Sequence, residues 1–288
     1  MISKNIDSLV KSPSAGVIRK MFEEGALLKQ KYGEDKVYDF SLGNPDLDPP
    51  PAVVEAIKEL AQDTSHNCHG YMPNAGYPFA RQAMADKTAK EQGVAVPKEC
   101  VVMAVGAAGA LNSTLKALLN PGDEVIVPCP YFTEYDHYIH NHGGEIIRVS
   151  TKADFGLDPA TISAALNEKT AAVLINSPNN PSGRIYTDEE LQAVIDVLKA
   201  HGAKTGRYPY LICDEPYRAI TYAGKKVAAA FPKYDYSVVV TSFAKNLSLP
   251  GERIGYIAVN PACPEKNDFI AAAIFATSYF KKIPKTDG

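Results

Sequence analysis

The sequence lacks most of the features that mark specialised protein classes. Tryptophan is absent, there are only 5 cysteines in 288 residues, and 30 Lys plus Arg stand against 33 Asp plus Glu, for a formal net charge of -3. The cysteines, Cys68, Cys100, Cys129, Cys213 and Cys263, are odd in number and without C-x-x-C spacing. That pattern argues against a disulfide framework and against a zinc ribbon. The charge balance offers no electrostatic footprint for a nucleic-acid partner. Long apolar runs are also missing. The most apolar stretch, Phe269 to Phe280, falls well short of the ~20 residues that cross a bilayer and carries Thr277 and Ser278, so no membrane partner is expected. The N-terminal segment MISKNIDSLVKSPSAGVIRK has no continuous apolar core followed by a small-residue cleavage site. The expected location is therefore the cytoplasm. His137, His140 and His142 cluster, but no carboxylate or cysteine is spaced to complete a site with them, and no metal is expected.

What is present is an ordinary globular composition, 45% hydrophobic and 22% charged, in a chain long enough for one large domain or one with a small appendage. From about Glu99 onward, short β-branched runs alternate with helical stretches. CVVMAV, DEVIVP, GEIIRV, AAVLIN, YLICDE and YSVVVTS read as strands; Ala107 to Leu119, Phe132 to Asn141, Asp158 to Leu166, Asp188 to Ala200 and Asp268 to Tyr279 read as helices. The strands are apolar on both faces, as expected for an α/β fold whose mostly parallel central sheet is covered by helices on both sides. In such sheets ligands bind at the carboxyl ends of the strands. The preceding segment differs: a helix near Ala15 to Gln30, an extended piece at Val37 to Leu42, then Asp48-Pro49-Pro50-Pro51. We read residues 1–44 as an N-terminal arm, 45–280 as the main domain and 281–288 as a polar tail.

Four segments at predicted strand ends carry chemistry. Ser242-Phe243-Ala244-Lys245 follows YSVVVT and precedes Pro250-Gly251-Glu252-Arg253. A lone lysine is ordinarily a solvated loop residue. Here a hydroxyl and a guanidinium flank it, a pair suited to gripping a phosphate, and a lysine beside a phosphate grip suggests a Schiff base to pyridoxal phosphate. At Val105-Gly106-Ala107-Ala108-Gly109 a strand ends and a helix begins, where free backbone N–H groups and the helix dipole favour an anion. The segment matches neither G-x-G-x-x-G nor a P-loop, so a nucleotide site is not supported. Cys213-Asp214-Glu215-Pro216-Tyr217 follows YLI, and a carboxylate at a buried strand end either caps a loop or meets a cation. The pyridinium nitrogen of the cofactor would be that cation. The rigid loop Asn176-Ser177-Pro178-Asn179-Asn180-Pro181-Ser182-Gly183 presents asparagines at a fixed place. A cis Asn180–Pro181 bond is expected there.

In order, SLGNPD, the Y-x-x-x-x-G of Tyr71 to Gly76, NNPSG, DEPY and SFAK-x-x-x-x-x-G-x-R-x-G resemble the class I/II aminotransferases, fold type I pyridoxal phosphate enzymes, over roughly Ser41 to Pro261. The resemblance implies the large domain of that fold, with pyridoxal 5'-phosphate as cofactor and an amino acid and a 2-oxo acid, aspartate by default, as substrates. It implies that Lys245 forms the Schiff base and moves the proton, that Asp214 pairs with the ring nitrogen, and that Asn180 and Tyr217 donate to the ring's 3-oxygen. Ser242, Arg253 and the amides of Ala107 and Ala108 would hold the phosphate. Gly43 would let backbone approach the substrate, with Asn180 beside it. Tyr71 would reach the phosphate of a neighbouring subunit, making a homodimer. Phe132 takes the place of an aromatic that stacks on the ring, with Tyr131 second. The family's C-terminal small domain, with its carboxylate-binding arginine, has no counterpart up to Gly288. Amino-group transfer is the first reading; a pyridoxal phosphate lyase or decarboxylase, and a cofactor-binding relative without turnover, are the alternatives.

Overall fold

A computed structural model describes residues 17–40, 43–68 and 70–280. They divide into two units, one ending at Asp48 and the other beginning at Pro49. The first unit contains α1 (Val17–Tyr32) and a single 3-10 turn at Glu34–Lys36. The second opens with α2 (Pro51–Gln62) and α3 (Pro78–Gln92), neither of which the sequence pattern predicts.

The alternating units follow: β1 (Val101–Val105), α4 (Gly106–Leu118), β2 (Glu124–Cys129), α5 (Tyr135–Asn141), β3 (Glu145–Ser150), α6 (Pro159–Ala165), β4 (Thr170–Asn176), α7 (Asp188–Thr205), β5 (Tyr210–Asp214) and β6 (Ser237–Ser242). A further strand, β7 (Ile254–Val259), and α8 (Lys266–Phe280) complete the unit. α5 starts later than predicted, because Phe132 to Glu134 form a turn after the cis Cys129–Pro130 bond. α7 runs on to Thr205, its start fixed by a capping box between Thr187 and Glu190.

The strands form one 7-stranded sheet in the order β1-β7-β6-β5-β4-β2-β3. β3, β2, β4, β5 and β6 run parallel, while β7 is antiparallel to both β1 and β6. Wedged between two predicted strands, β7 was not itself predicted; it is apolar, but Gly255 and the preceding Pro-Gly turn hide it in a loop-like context. Strand alternation splits the core into two layers. Leu211 and Cys213 of β5 pack with Ala85 of α3 and with Leu191, Ile195 and Leu198 of α7. Tyr210 and Ile212 pack on the opposite face with Leu111 of α4, Tyr135 and Ile139 of α5 and Phe269 of α8. Burying both faces of β4, β5 and β6 explains their unbroken apolar runs.

Candidate active site

Register decides which strand ends meet. Ser242, the last residue of β6, pairs with Gly255 of β7, and Val105, the last of β1, pairs with Ile254. The segment just before β7, which carries Arg253, therefore lies over the start of α4. A Cβ on Gly255 would stand 2.5 Å from the carbonyl carbon of Gly106 and 2.6 Å from the Thr241 oxygen, so only glycine lets β7 approach both neighbours. Gly106 itself has φ +64, and a Cβ there would sit 3.1 Å from Arg253 Nη2. Arg253 adopts φ 53 and donates from Nη1 to the Pro250 oxygen at 2.9 Å.

The result is a cup. Its floor is the first turn of α4, whose N-terminus has no side-chain cap, leaving the amides through Ala107 and Ala108 without intrahelical acceptors. The Arg253 guanidinium stands beside it, and the buried Ser242 ends the adjoining strand. Lys245, in the turn after β6, is partly buried, and that burial lowers its ammonium pKa.

Next to the cup, at the end of β5, Asp214 is 5% exposed. Its Oδ2 accepts the Tyr135 hydroxyl at 2.5 Å, while its Oδ1 is buried without a hydrogen-bond partner. Burial pushes the Asp214 carboxyl up to about 7, against the pull of the Tyr135 bond. Burial, and then the same carboxylate, drives the Tyr135 phenol well above its ordinary range. One oxygen of the carboxylate thus meets a neutral phenol. Tyr135 was missed at the sequence level because a tyrosine opening a short helix reads as ordinary core.

Asn176, at the end of β4, donates to the Asp214 carbonyl at 2.8 Å and accepts from the Asn180 amide at 2.6 Å. Asn180 is thereby tied to β5, and the half-buried Tyr217 has its phenol pushed up by burial and by the Asp214 carboxylate, against the pull of the Asn180 side chain. Asn179 does different work: its Oδ1 accepts from the amide and hydroxyl of Ser182, shaping the turn. The Asn180–Pro181 bond is cis, as expected, and Ser177–Pro178 is cis as well.

The two aromatic residues after β2 separate clearly. Tyr131 donates to Asp136 Oδ1 at 2.8 Å and accepts from Arg148 Nε at 2.7 Å, and Arg148 pairs with Asp136 at 2.9 Å. Both rings also meet Tyr135, Phe132 edge-on with ring centroids 5.6 Å apart and Tyr131 stacked at 6.3 Å. Tyr71 is fully exposed in the second unit, and Gly43 is exposed in the first.

A mostly parallel sheet with an uncapped helix start, a lysine and a buried carboxylate at its carboxyl edge defines a class: open α/β proteins, whose ligands bind outside the carboxyl ends of the strands. Comparison with known proteins narrows it. Residues 35–280 match the family described as aminotransferase class I and II, and the chain belongs to that family. It is 33% identical over 258 residues to an aspartate/prephenate aminotransferase of Thermus thermophilus, covering 88% of this chain and 63% of that protein. An aspartate aminotransferase of Geobacillus stearothermophilus is 33% identical over 263 residues, covering 89% and 63%. The chain thus spans under two thirds of the length of these relatives. Among solved structures, an amino transferase from Eubacterium rectale superposes with TM-score 0.92 at 34% identity, covering 100% of this chain and 72% of that one.

Members of this family use pyridoxal phosphate. The residues present fit it. The partnerless Oδ1 of Asp214 is a buried acceptor that a protonated ring nitrogen would satisfy, and the uncapped helix start with Arg253 above it is an anion cradle that a Cβ at Gly106 would crowd.

Proposed function

We propose that this chain is the cofactor-holding part of an aminotransferase that moves an amino group between an amino acid and a 2-oxo acid. The observation that carries the reading is the gathering, after the carboxyl ends of neighbouring strands, of the unsatisfied Asp214 Oδ1, Asn180, Tyr217, Lys245 and the Gly106–Arg253 cup. Bound there, pyridoxal phosphate supplies an aldehyde that reacts with amines and a ring that accepts the electron pair released at the substrate α-carbon.

The chain's own residues do the rest. Ser242, Arg253 and the amides of Ala107 and Ala108 hold the phosphate dianion. Asp214, fixed by Tyr135, would pair with the ring nitrogen and favour its protonated form. Asn180 and Tyr217 would serve as donors to the ring oxygen, and Phe132 would supply the apolar contact to the ring. Lys245 Nζ is the covalent anchor and then the base that takes up and returns the α-proton; its lowered pKa raises the share of neutral amine available for both roles. Gly43 is read as the substrate-side backbone approach. The exposed Tyr71 suits a role in the phosphate site of a second copy, and a homodimer is the proposed active unit. Aspartate is the proposed amino donor, on the strength of the names of the relatives above, which also favour transfer over lyase or decarboxylase chemistry.

The test is to add pyridoxal phosphate to the purified chain and record its visible absorbance before and after borohydride. We expect a reducible band in the wild type and none in Lys245→Ala; a wild-type protein without the band would remove the cofactor assignment.

A further inference from the structure

Alternation at the end of β5 turns neighbouring acids to opposite layers. Asp214 meets Tyr135 of α5, whereas Glu215, 4% exposed, meets Gln92 of α3. Glu215 Oε1 pairs with Arg218 Nη1 at 2.8 Å, and Gln92 Nε2 donates to Glu215 Oε2 at 3.4 Å. The backbone of Glu215 is fixed as well: its amide donates to the Val240 oxygen and its carbonyl accepts the Thr241 hydroxyl, at 2.8 and 2.9 Å.

Arg218 is almost fully engaged. Nη2 donates to the carbonyls of Glu91 at 2.8 Å and Val227 at 3.1 Å, and Nη1 also reaches the Ala228 carbonyl at 3.3 Å. Gln92 closes the network, its Oε1 accepting from the amides of Ala230 and Phe231 at 2.9 and 3.2 Å. A buried ion pair contributes little net stability compared with apolar residues of the same volume, so stability alone does not account for this arrangement. What it does is clamp both ends of a short turn. Between Glu215 and Arg218, whose amide donates to the Glu215 carbonyl at 3.3 Å, lies Tyr217; its own carbonyl accepts the Ile220 amide at 2.7 Å, and its phenol is pushed up by burial and by the Asp214 carboxylate on the site side.

We propose that Arg218 is a positioning residue for the cofactor site. By holding the Glu215–Arg218 turn against the end of α3 and the segment 227–231, it sets the direction in which Tyr217 presents its hydroxyl. The proposal rests on the cofactor reading above. Arg218→Met removes the cation paired with Glu215. Of the α3 charges acting on this acid, Glu91 opposes its ionised form and Lys87 favours it weakly, so the acid, which burial already holds at about 7, takes up a proton instead of anchoring the turn.

A donor on the ring oxygen draws off charge that would otherwise retain the neighbouring proton. Its displacement therefore raises the pH at which the visible band of the loaded protein titrates. The experiment compares wild type, Arg218→Met, Tyr217→Phe and the double variant, each loaded with pyridoxal phosphate, by absorbance against pH, by the cofactor dissociation constant and by thermal melting. We expect the Arg218→Met midpoint to rise by about half a unit to one unit, the size of one neutral hydrogen bond, with a severalfold weaker dissociation constant. The double variant should show no further shift beyond Tyr217→Phe. A lowered melting temperature with an unmoved midpoint, or an equal shift in the Tyr217→Phe background, would overturn the proposal. If Arg218→Met does not fold, Glu215→Gln, which keeps an acceptor but loses the charge, is read in the same way and must move the midpoint in the same direction. A wild type with no visible band would sink the cofactor assignment and this proposal together, a result distinct from a titrating band that Arg218 does not influence.

Discussion

The Tyr135 hydroxyl donates to Oδ2 of Asp214 at 2.5 Å and leaves Oδ1 buried and unpartnered. The bond holds the carboxylate in one orientation, so that a single oxygen is left for an incoming N–H. An unsatisfied buried acceptor of this kind costs stability in the cofactor-free protein and favours the ligand that fills it.

That cost has a pH signature. Burial raises the Asp214 carboxyl from 3.8 to about 7 and the Glu215 carboxyl from 4.5 to about 7. For a group whose pKa is raised on folding, the stabilisation is fully present below the unfolded value and is lost as pH rises through the folded value. Chemical denaturation of the cofactor-free protein should therefore show stability falling between about pH 4 and pH 7, by on the order of a few kcal/mol across the window. Asp214→Asn should flatten the slope; an identical slope in both proteins would refute the assignment.

Gly255 is the point at which β7, β6 and α4 come closest. Alanine there must displace backbone on both sides, since the nearest atoms are the Gly106 carbonyl carbon at 2.5 Å and the Thr241 oxygen at 2.6 Å. We expect Gly255→Ala to destabilise the fold by about 1–3 kcal/mol. It should also weaken pyridoxal phosphate binding by far more than the melting temperature alone would imply, because the Arg253 side of the cup moves. Thermal melts paired with cofactor titration check this, and unchanged affinity in a folded variant would contradict it.

Phe132 and Tyr131 make opposite predictions. Both rings meet the tyrosine that fixes Asp214, Tyr131 stacked and Phe132 edge-on, but only Tyr131 is also held away by Asp136 and Arg148. Phe132→Ala should weaken cofactor binding by about 1 kcal/mol, the scale of one aromatic contact. Tyr131→Ala should leave the dissociation constant close to wild type, and the reverse order would reassign the stacking ring.

Much of this was legible without coordinates, for local reasons. Strand runs, Gly and Pro punctuation, and residues immediately following apolar stretches are properties of neighbours in the chain. They sufficed to place Asp214, Asn180, Ser242 and Lys245 at the carboxyl ends of strands. The order of the motifs also pointed to the family, which the comparisons bear out.

What tertiary structure decided are pairings over long separations. Tyr135 finds Asp214 across 79 positions, and Gln92 finds Glu215 across 123. Nothing local distinguishes Tyr135 from a core tyrosine or Arg218 from a surface arginine. The insertion of β7 antiparallel between β1 and β6 is likewise fixed by which backbones can approach Gly255, and that insertion carries Arg253 to the start of α4. The sequence by itself determined which chemical groups stand at the strand ends, because alternation and turns are set within a few residues. Only the packed sheet decided which of those groups face one another, because register, close approach and burial depend on segments far apart in the chain.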